Sequence, residues 1–209
     1  MEYVTFLSGY GGVFSIDLKT LYLVRHGQTD ANLNQVVQGQ TDTPLNETGL
    51  IQARKVAEKL KSVHADMVLS SDLSRAAQTA EVIAKTCGLP MKLTKDLREM
   101  SLGVWEGKRF EEIAQTPLSK IWFVKPSRLI LEGAETVKEV QERVVAAIFG
   151  TLKDHKTLIV VSHGLAIALF ILYVKKLPLD FMWDYLPDNT FVTKVIVTEE
   201  LTSVVQNDF

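Results

Sequence analysis

The chain has little cysteine and almost no net charge. Its 209 residues include one cysteine, Cys87, and its 23 basic and 25 acidic side chains leave a formal charge of −2. A single cysteine forms no disulfide within the chain and cannot build a multi-cysteine zinc site, so a reducing, cytoplasmic compartment is expected. Broad electrostatic capture of nucleic acid or of an anionic membrane needs a clear basic excess, so the composition argues against both kinds of partner.

Long apolar runs are also missing. No uninterrupted run approaches the roughly 20 residues of a membrane-spanning helix. The segment 1–14 carries Glu2 where a signal peptide has Lys or Arg, and Gly11-Gly12 interrupts its apolar residues. With no linker or low-complexity tract, we expect one domain over 1–209. Residues 1–20 then form an N-terminal extension, which could be an edge strand, a homodimer contact or a disordered segment.

Two hydrophobic periods alternate along the chain. Short continuous apolar runs predict buried strands at Leu21–Val24, Asp66–Ser70 and Leu158–Val161, with a shorter strand at Met91–Thr94. Apolar residues at helical spacing predict helices over Glu47–Lys61, Leu73–Cys87, Thr136–Leu152 and Leu165–Val174. Asn189–Val197 and Leu201–Gln206 are typical of a closing hairpin. This order predicts an α/β fold, a three-layer sandwich with a mostly parallel central sheet and helices on both faces.

The segment 109–135 differs from the rest of the chain in its sequence pattern. It contains short helical pieces, two prolines and the adjacent aromatic residues Trp122 and Phe123. We expect it to form a small helical cap over one end of the sheet, where it would select the substrate. Its basic residues are Arg109, Lys120, Lys125 and Arg128. Trp122 and Phe123 with Lys120, Lys125 and Arg128 suit a small phosphorylated metabolite with either an apolar or a further anionic portion. Alternatively, Trp122 and Phe123 are only the core of the cap.

Three predicted strands end in residues that are suited to chemistry. The ends are Arg25-His26-Gly27, Ser70-Ser71-Asp72 with Arg75 close behind, and Ser162-His163-Gly164. In a parallel sheet, ligands bind beyond the carboxyl ends of the strands, so two arginines and two histidines should meet at one edge. Any one of them alone could be structural, but the coincidence of all four favours a shared site.

This set of side chains suits phosphoryl transfer. Arginine binds phosphate oxygens with two parallel hydrogen bonds, and a neutral imidazole can attack phosphorus to give a phosphohistidine. The second histidine and the Gly164 amide at a helix start can stabilise charge on the equatorial oxygens. The leaving alkoxide needs a proton from a carboxylic acid. Glu99 and Glu106, in the same loop, are both candidates.

The segment Leu23-Val24-Arg25-His26-Gly27-Gln28-Thr29, followed by Asn32, resembles the signature of the histidine phosphatase superfamily, the phosphoglycerate mutase-like proteins. The likeness continues in family order through Gln38–Asn46 with Gly49, Ser70–Ala80, Leu97–Gly107 and Val161–Gly164. Gly133-Ala134-Glu135-Thr136 departs from the Gly-Gly-Glu-Ser that is usual in the family.

The resemblance implies a role for each matched residue. His26 would become phosphorylated, and Glu99 rather than Glu106 would be the general acid and base. The phosphoryl group would be held by Arg25, Arg75, His163 and Asn32. Further substrate contacts are expected from Thr29, Gln38, Gly39 and Gly164. No metal ion or other cofactor is expected, because two arginines supply the cationic charge that Mg²⁺ otherwise brings.

The resemblance also bears on the reaction. Mutases of the family carry a long insertion between the acid and the second histidine, whereas the stretch from Glu99 to His163 is short, as in the phosphatases. The layout looks similar to α-ribazole phosphatases of cobalamin assembly and to broad-specificity phosphatases. We therefore expect hydrolysis of a small phosphorylated metabolite. A phosphoglycerate mutase and a non-catalytic phospho-ligand-binding protein are the alternatives.

Overall fold

The computed structural model describes residues 18–197 and the backbone of 202–206. Within them, six strands form one sheet: β1 (Lys19–Arg25), β2 (Met67–Ser71), β3 (Met91–Thr94), β4 (Thr157–Ser162), β5 (Val192–Val197) and β6 (Thr202–Gln206). Their spatial order is β3-β2-β4-β1-β5-β6. The first four strands in this order are parallel, β5 is antiparallel to β1, and β6 is antiparallel to β5, so the predicted mostly parallel sheet and closing hairpin are confirmed.

Helices cover both faces of the sheet. They are α1 (Asp30–Leu33), α2 (Glu47–Leu60), α3 (Ser74–Cys87), α4 (Phe110–Ala114), α5 (Ser119–Val124), α6 (Val137–Leu152) and α7 (Gly164–Lys175). Short 3₁₀ helices lie at Lys95–Leu97, Gly103–Trp105, Pro126–Arg128 and Leu179–Tyr185. The four long helices lie within one residue of their predicted bounds at every end.

Successive side chains of the central strands point alternately into two hydrophobic cores, one on each face of the sheet. In β1, Tyr22 and Val24 pack with α2 and α3, whereas Leu21 and Leu23 pack with α6 and α7. This alternation follows from the two-residue period of a strand, and it makes the predicted three layers. Helix α7 is buried on almost every side, as its all-round apolar sequence predicts.

Local sequence signals set the helix ends. The Asn46 side chain accepts a hydrogen bond from the Gly49 N–H at the start of α2, at 2.8 Å. Thr136 and Glu139 form a reciprocal capping box at the start of α6, so threonine does there what serine usually does. Helix α3 ends at Gly88, whose φ of 67° suits glycine.

The segment 109–135 contains α4, α5 and the 3₁₀ helix Pro126–Arg128. Ile113, Trp122 and Leu129 from this segment join the same core as α6 and α7. The segment is therefore a small helical cap, as expected.

Strand β1 begins at Lys19, inside the expected N-terminal extension. Lys19 and Thr20 pair with Val197 and Ile196 of β5, because their backbone groups continue the ladder of the apolar run that follows. Residues 1–17 lie outside the described residues. In the described part of the chain, no helix combines the length and apolar character that crossing a membrane requires.

Candidate active site

The carboxyl ends of the central strands bring two histidines together. Arg25 at the end of β1 pairs in register with Ser162 at the end of β4, so His26 and His163 follow at the same level. Their ring centroids lie 5.1 Å apart. The structure thus places both histidines at one edge of the sheet, as the strand order requires.

His26 is held as a neutral imidazole with a defined tautomer. Its ring is 2 % exposed, and Nδ1 lies 2.7 Å from the carbonyl oxygen of Gly27. A carbonyl only accepts, so Nδ1 carries the proton and Nε2 carries a lone pair. Burial, together with the charges of Arg75 and Arg25, holds the pKa of His26 well below 6.5. Nε2 is therefore a free nucleophile at neutral pH.

The backbone after His26 is clamped against the start of α2. A Cβ atom on Gly27 would lie 2.6 Å from the carbonyl oxygen of Gly49. The Gly27 N–H donates to Thr79 Oγ1 at 3.1 Å. Only glycine allows two backbones to approach this closely, so these residues fix the position of His26.

Two arginines flank His26. Arg75 is fully buried and donates from Nη1 to the carbonyl of Thr41 and from Nη2 to that of Gly39, at 2.9 and 2.8 Å. Arg25 donates from Nη1 to the carbonyl of Pro187 at 2.7 Å. Burial lowers the pKa of Arg75 to about 10, so the side chain remains a cation at neutral pH.

His163 is completely enclosed and does not line the cavity. Its Nε2 lies 2.8 Å from Ser71 Oγ, which also accepts from the Leu73 N–H. The Ser71 proton is then available to His163 Nε2, which leaves the ring proton on Nδ1. Burial and the charge of Arg75 are the main causes that hold the pKa of His163 well below 6.5.

Three buried nitrogen atoms lack a hydrogen-bond partner among the described residues: Arg25 Nε, Arg75 Nε and His163 Nδ1. Buried polar groups are nearly always paired, and leaving one unpaired costs about 1–3 kcal/mol. All three belong to the side chains that surround His26. Their clustering indicates a site for an anion with several acceptor oxygens.

The two candidate acids occupy different places. The Glu99 carboxylate lines the cavity and accepts from the N–H groups of Leu165 and Ala166, both at 3.1 Å, in the first turn of α7. The Glu106 carboxylate lies outside the cavity lining and accepts from the N–H groups of Gln40 and Leu102, each at 3.0 Å. The geometry favours Glu99 for chemistry and Glu106 for support of the surrounding loops.

An ion pair holds the loop that carries Glu99. Arg143 Nε lies 2.7 Å from Glu135 Oε1, and its two Nη groups donate to the backbone carbonyls of Asp96, Arg98 and Glu99. Glu135 also accepts from the Ser101 N–H at 2.9 Å. The loop is therefore fixed on both sides of Glu99.

The polar residues expected to contact substrate divide into two groups. Asn32, Gln38, Gly39 and Gly164 line the cavity. Thr29 is fully buried behind it, with Oγ1 3.1 Å from Asn32 Oδ1 and 3.0 Å from Gln38 Oε1. With both amide oxygens directed at Thr29, the NH₂ groups of Asn32 and Gln38 remain for the cavity.

The segment that follows α7 also contributes to the site, although no sequence pattern predicted it. Trp183 and Leu186 line the cavity, and Asn189 donates to the backbone carbonyl of His26 at 2.9 Å. No motif identifies these residues. The clustered aromatic residues of Phe181-Met182-Trp183-Asp184-Tyr185 are the one sequence feature that could have indicated a role for this segment.

The cavity, of about 110 Å³, is open on one side. Trp122 belongs to the core and also lines the cavity, so its two predicted roles, as a core residue of the cap and as a residue near the substrate, are compatible. Phe123, Lys120, Lys125 and Arg128 are exposed and do not line it. In the described part of the chain, no group of three or more His, Cys, Asp or Glu side chains could hold a metal ion.

Comparisons with known proteins agree with this geometry. The family model of the histidine phosphatase superfamily (branch 1) matches residues 21–208. A relative from Proteus mirabilis, named "Probable phosphoglycerate mutase GpmB", is 37 % identical over 166 residues, which cover 76 % of this chain and 75 % of that protein.

Two solved structures have the same fold. Bacillus stearothermophilus YhfR has a TM-score of 0.82 at 32 % identity and covers 90 % of this chain and 96 % of its own. The α-ribazole phosphatase from Shigella flexneri has a TM-score of 0.80 at 26 % identity, with 90 % and 95 % covered. The chain therefore belongs to the histidine phosphatase superfamily, branch 1, a family of enzymes that act on phosphoric monoesters.

Proposed function

We propose that the protein is a metal-independent phosphatase that hydrolyses a small phosphomonoester through a phosphohistidine on His26. The observation that carries this proposal is the set of three unpaired buried nitrogens, Arg25 Nε, Arg75 Nε and His163 Nδ1, beside a neutral imidazole. These donors match the equatorial oxygens of a phosphoryl group that His26 Nε2 attacks.

In the first step, the Nε2 lone pair of His26 forms a bond to phosphorus, and the bond from phosphorus to the ester oxygen breaks. Arg25, Arg75 and His163 bind the equatorial oxygens, and the NH₂ group of Asn32 adds a further donor. The arginines supply the positive charge that a metal ion provides in other phosphoryl-transfer enzymes.

Glu99 is the general acid in the first step and the general base in the second. It gives a proton to the leaving oxygen, so that the alcohol departs neutral. In the second step it takes a proton from water, whose oxygen attacks phosphorus and breaks the N–P bond. The products are an alcohol and inorganic phosphate, with His26 again neutral and Glu99 again protonated.

The proposal is tested by trapping the intermediate. After brief mixing with p-nitrophenyl phosphate and alkaline denaturation, mass spectrometry should find phosphate on the peptide that contains His26. His26→Ala should abolish both the label and turnover, while His64→Ala, at an exposed histidine, should change neither. Activity should survive EDTA. Undiminished turnover in His26→Ala would refute the mechanism.

A candidate substrate is α-ribazole 5′-phosphate, supported by the structural similarity to the Shigella flexneri α-ribazole phosphatase. Its hydrolysis is measured directly as released phosphate.

Phosphoglycerate mutase is the second candidate function, favoured by the 37 % identity to the Proteus mirabilis relative. Product analysis with 3-phosphoglycerate separates the two reactions. Isomerisation that outpaces phosphate release would establish the mutase and refute the phosphatase.

A further inference from the structure

Few of the residues that line the cavity are charged. Arg25, Arg75 and Glu99 line it together with the neutral His26, and the proposed reaction assigns these residues to the phosphoryl group and its proton transfer. Within the part of the chain that the structure describes, no other charged side chain lines the cavity. The apolar lining residues Val36, Phe110, Ile113, Trp122, Trp183 and Leu186 are here called the outer wall.

The outer wall is built around packed aromatic rings. Trp122 and Trp183 meet edge to face, with centroids 5.1 Å apart at 89°. The Trp183 indole N–H donates to the backbone carbonyl of Trp122 at 3.0 Å, so this polar group is used inside the wall. Trp105 also packs against Trp122, with ring centroids 6.0 Å apart. The wall therefore offers a fixed apolar surface.

The basic residues of the cap do not change this character. Arg109, Lys120, Lys125 and Arg128 are all exposed, and none lines the cavity. A carboxylate or ammonium group placed against the outer wall would lose water without gaining a partner of opposite charge. Such desolvation is strongly unfavourable.

We propose that the outer wall selects phosphomonoesters whose alcohol is uncharged and presents to the wall an apolar group of about the size of one aromatic ring, and rejects those whose alcohol carries a carboxylate or an ammonium group. This inference rests on the proposed phosphatase function and names its substrate class. It excludes phosphoglycerate and phosphoserine as good substrates of this chain.

A matched pair of esters tests the selection. Benzyl phosphate and 4-carboxybenzyl phosphate share the reacting bond and differ by one remote charge. We expect kcat/KM for benzyl phosphate to be at least about tenfold higher, and 4-(aminomethyl)benzyl phosphate to be as poor as the carboxylate. Equal values, or a preference for either charged ester, would overturn the inference while the phosphatase stands. If none of the three is hydrolysed, both the proposed function and this inference fail.

A charge added to the outer wall should reverse part of the preference. Phe110 is 41 % exposed and lines the cavity, so Phe110→Lys places an ammonium group there at little cost to folding. The ratio of kcat/KM for 4-carboxybenzyl to benzyl phosphate should rise about tenfold.

Phe181→Lys is the control, because Phe181 is 48 % exposed and lies outside the cavity lining. Its ratio should stay at the wild-type value. An unchanged ratio in folded Phe110→Lys protein, or the same rise in both variants, would contradict the assignment of the outer wall. The comparison of esters on the wild-type enzyme decides the question even if Phe110→Lys does not fold.

Discussion

The imidazole rings of His26 and His163 lie 5.1 Å apart and are tilted by 59° to each other, although only the first of them faces the cavity. Both belong to the ends of adjacent parallel strands, and burial is the largest cause of the lowered pKa of each. Two neutral histidines can share one site without repulsion. His26, which lines the cavity, is then free to attack, while the enclosed His163 acts as a fixed donor.

These two histidines predict an acid-sensitive fold. Their pKa values lie well below 6.5 in the folded protein and near 6.5 in the unfolded chain, so the unfolded chain binds more protons below pH 6.5. Folding stability must therefore fall as the pH drops below 6.5. The loss at pH 5.5 is on the order of 1 kcal/mol per histidine.

Urea unfolding at pH 7.5 and 5.5 measures this loss. His26→Gln should remove about half of the pH dependence, whereas His64→Gln, at an exposed position, should leave it intact. A free energy of unfolding that is flat between these two pH values would show that the histidines are not held neutral.

Glu99 and Glu106 should respond differently to the loss of their charge. Glu99→Gln should lower kcat for alkyl phosphates by about 10²–10⁴-fold, because no group then protonates the leaving oxygen. With p-nitrophenyl phosphate, whose leaving group needs no proton, it should give a burst of one nitrophenolate per enzyme followed by slow turnover.

Glu106→Gln should act mainly on stability. Its new NH₂ group would face backbone N–H donors that now bind the carboxylate, at a cost of about 1–3 kcal/mol in thermal or urea unfolding. Its loss of kcat should be much smaller than that of Glu99→Gln. The reverse order of the two kcat values would assign the acid to Glu106.

Arg75→Lys keeps the positive charge but loses the planar guanidinium group, which can donate several hydrogen bonds at once. A lysine cannot donate to the carbonyls of Thr41 and Gly39 and to a phosphoryl oxygen with the same geometry. We expect inorganic phosphate to bind about 10- to 100-fold more weakly at pH 7.5, measured by titration calorimetry. Arg54→Lys, at an exposed position, is the matched control. Unchanged affinity in Arg75→Lys would remove Arg75 from the anion site.

Thr29 should act as a positioning residue. Thr29→Val removes the hydroxyl that lies near the amide oxygens of Asn32 and Gln38. KM should rise severalfold with little change in kcat, and stability should fall by about 1 kcal/mol because the cap of α1 is also lost. Thr29→Ser should restore KM. A fall in melting temperature with an unchanged KM would show that Thr29 is only a helix cap.

The meeting of His26 and His163 in the candidate site could be predicted from the sequence because each residue follows the end of a strand. The apolar runs before Arg25 and His163 identify parallel strands, and parallel strands must deliver their carboxyl ends to one edge. The choice between Glu99 and Glu106 could not be derived from the residues alone, since both lie in one loop. It depends on which carboxylate meets the first turn of α7.

The outer wall was harder to predict. Trp183, Leu186 and Asn189 follow α7 in a segment with no hydrophobic period, and their role arises only when this segment packs beside the cap. The aromatic and basic residues of 109–135 suited either an apolar or a further anionic portion of the substrate, and the sequence does not show that the basic side chains are exposed to solvent. Thr29 likewise needed the structure, because its contacts are to side chains rather than to the cavity.

The three unpaired nitrogens around His26 do not distinguish an ester from a free oxyanion. Inorganic phosphate, the product of the proposed reaction, has the same acceptor oxygens and carries no alcohol that the outer wall could reject. Product and substrate therefore compete for the same donors, and the rate of the enzyme should decline as phosphate accumulates around it. Competitive product inhibition is thus expected from the same buried donors that would bind the substrate.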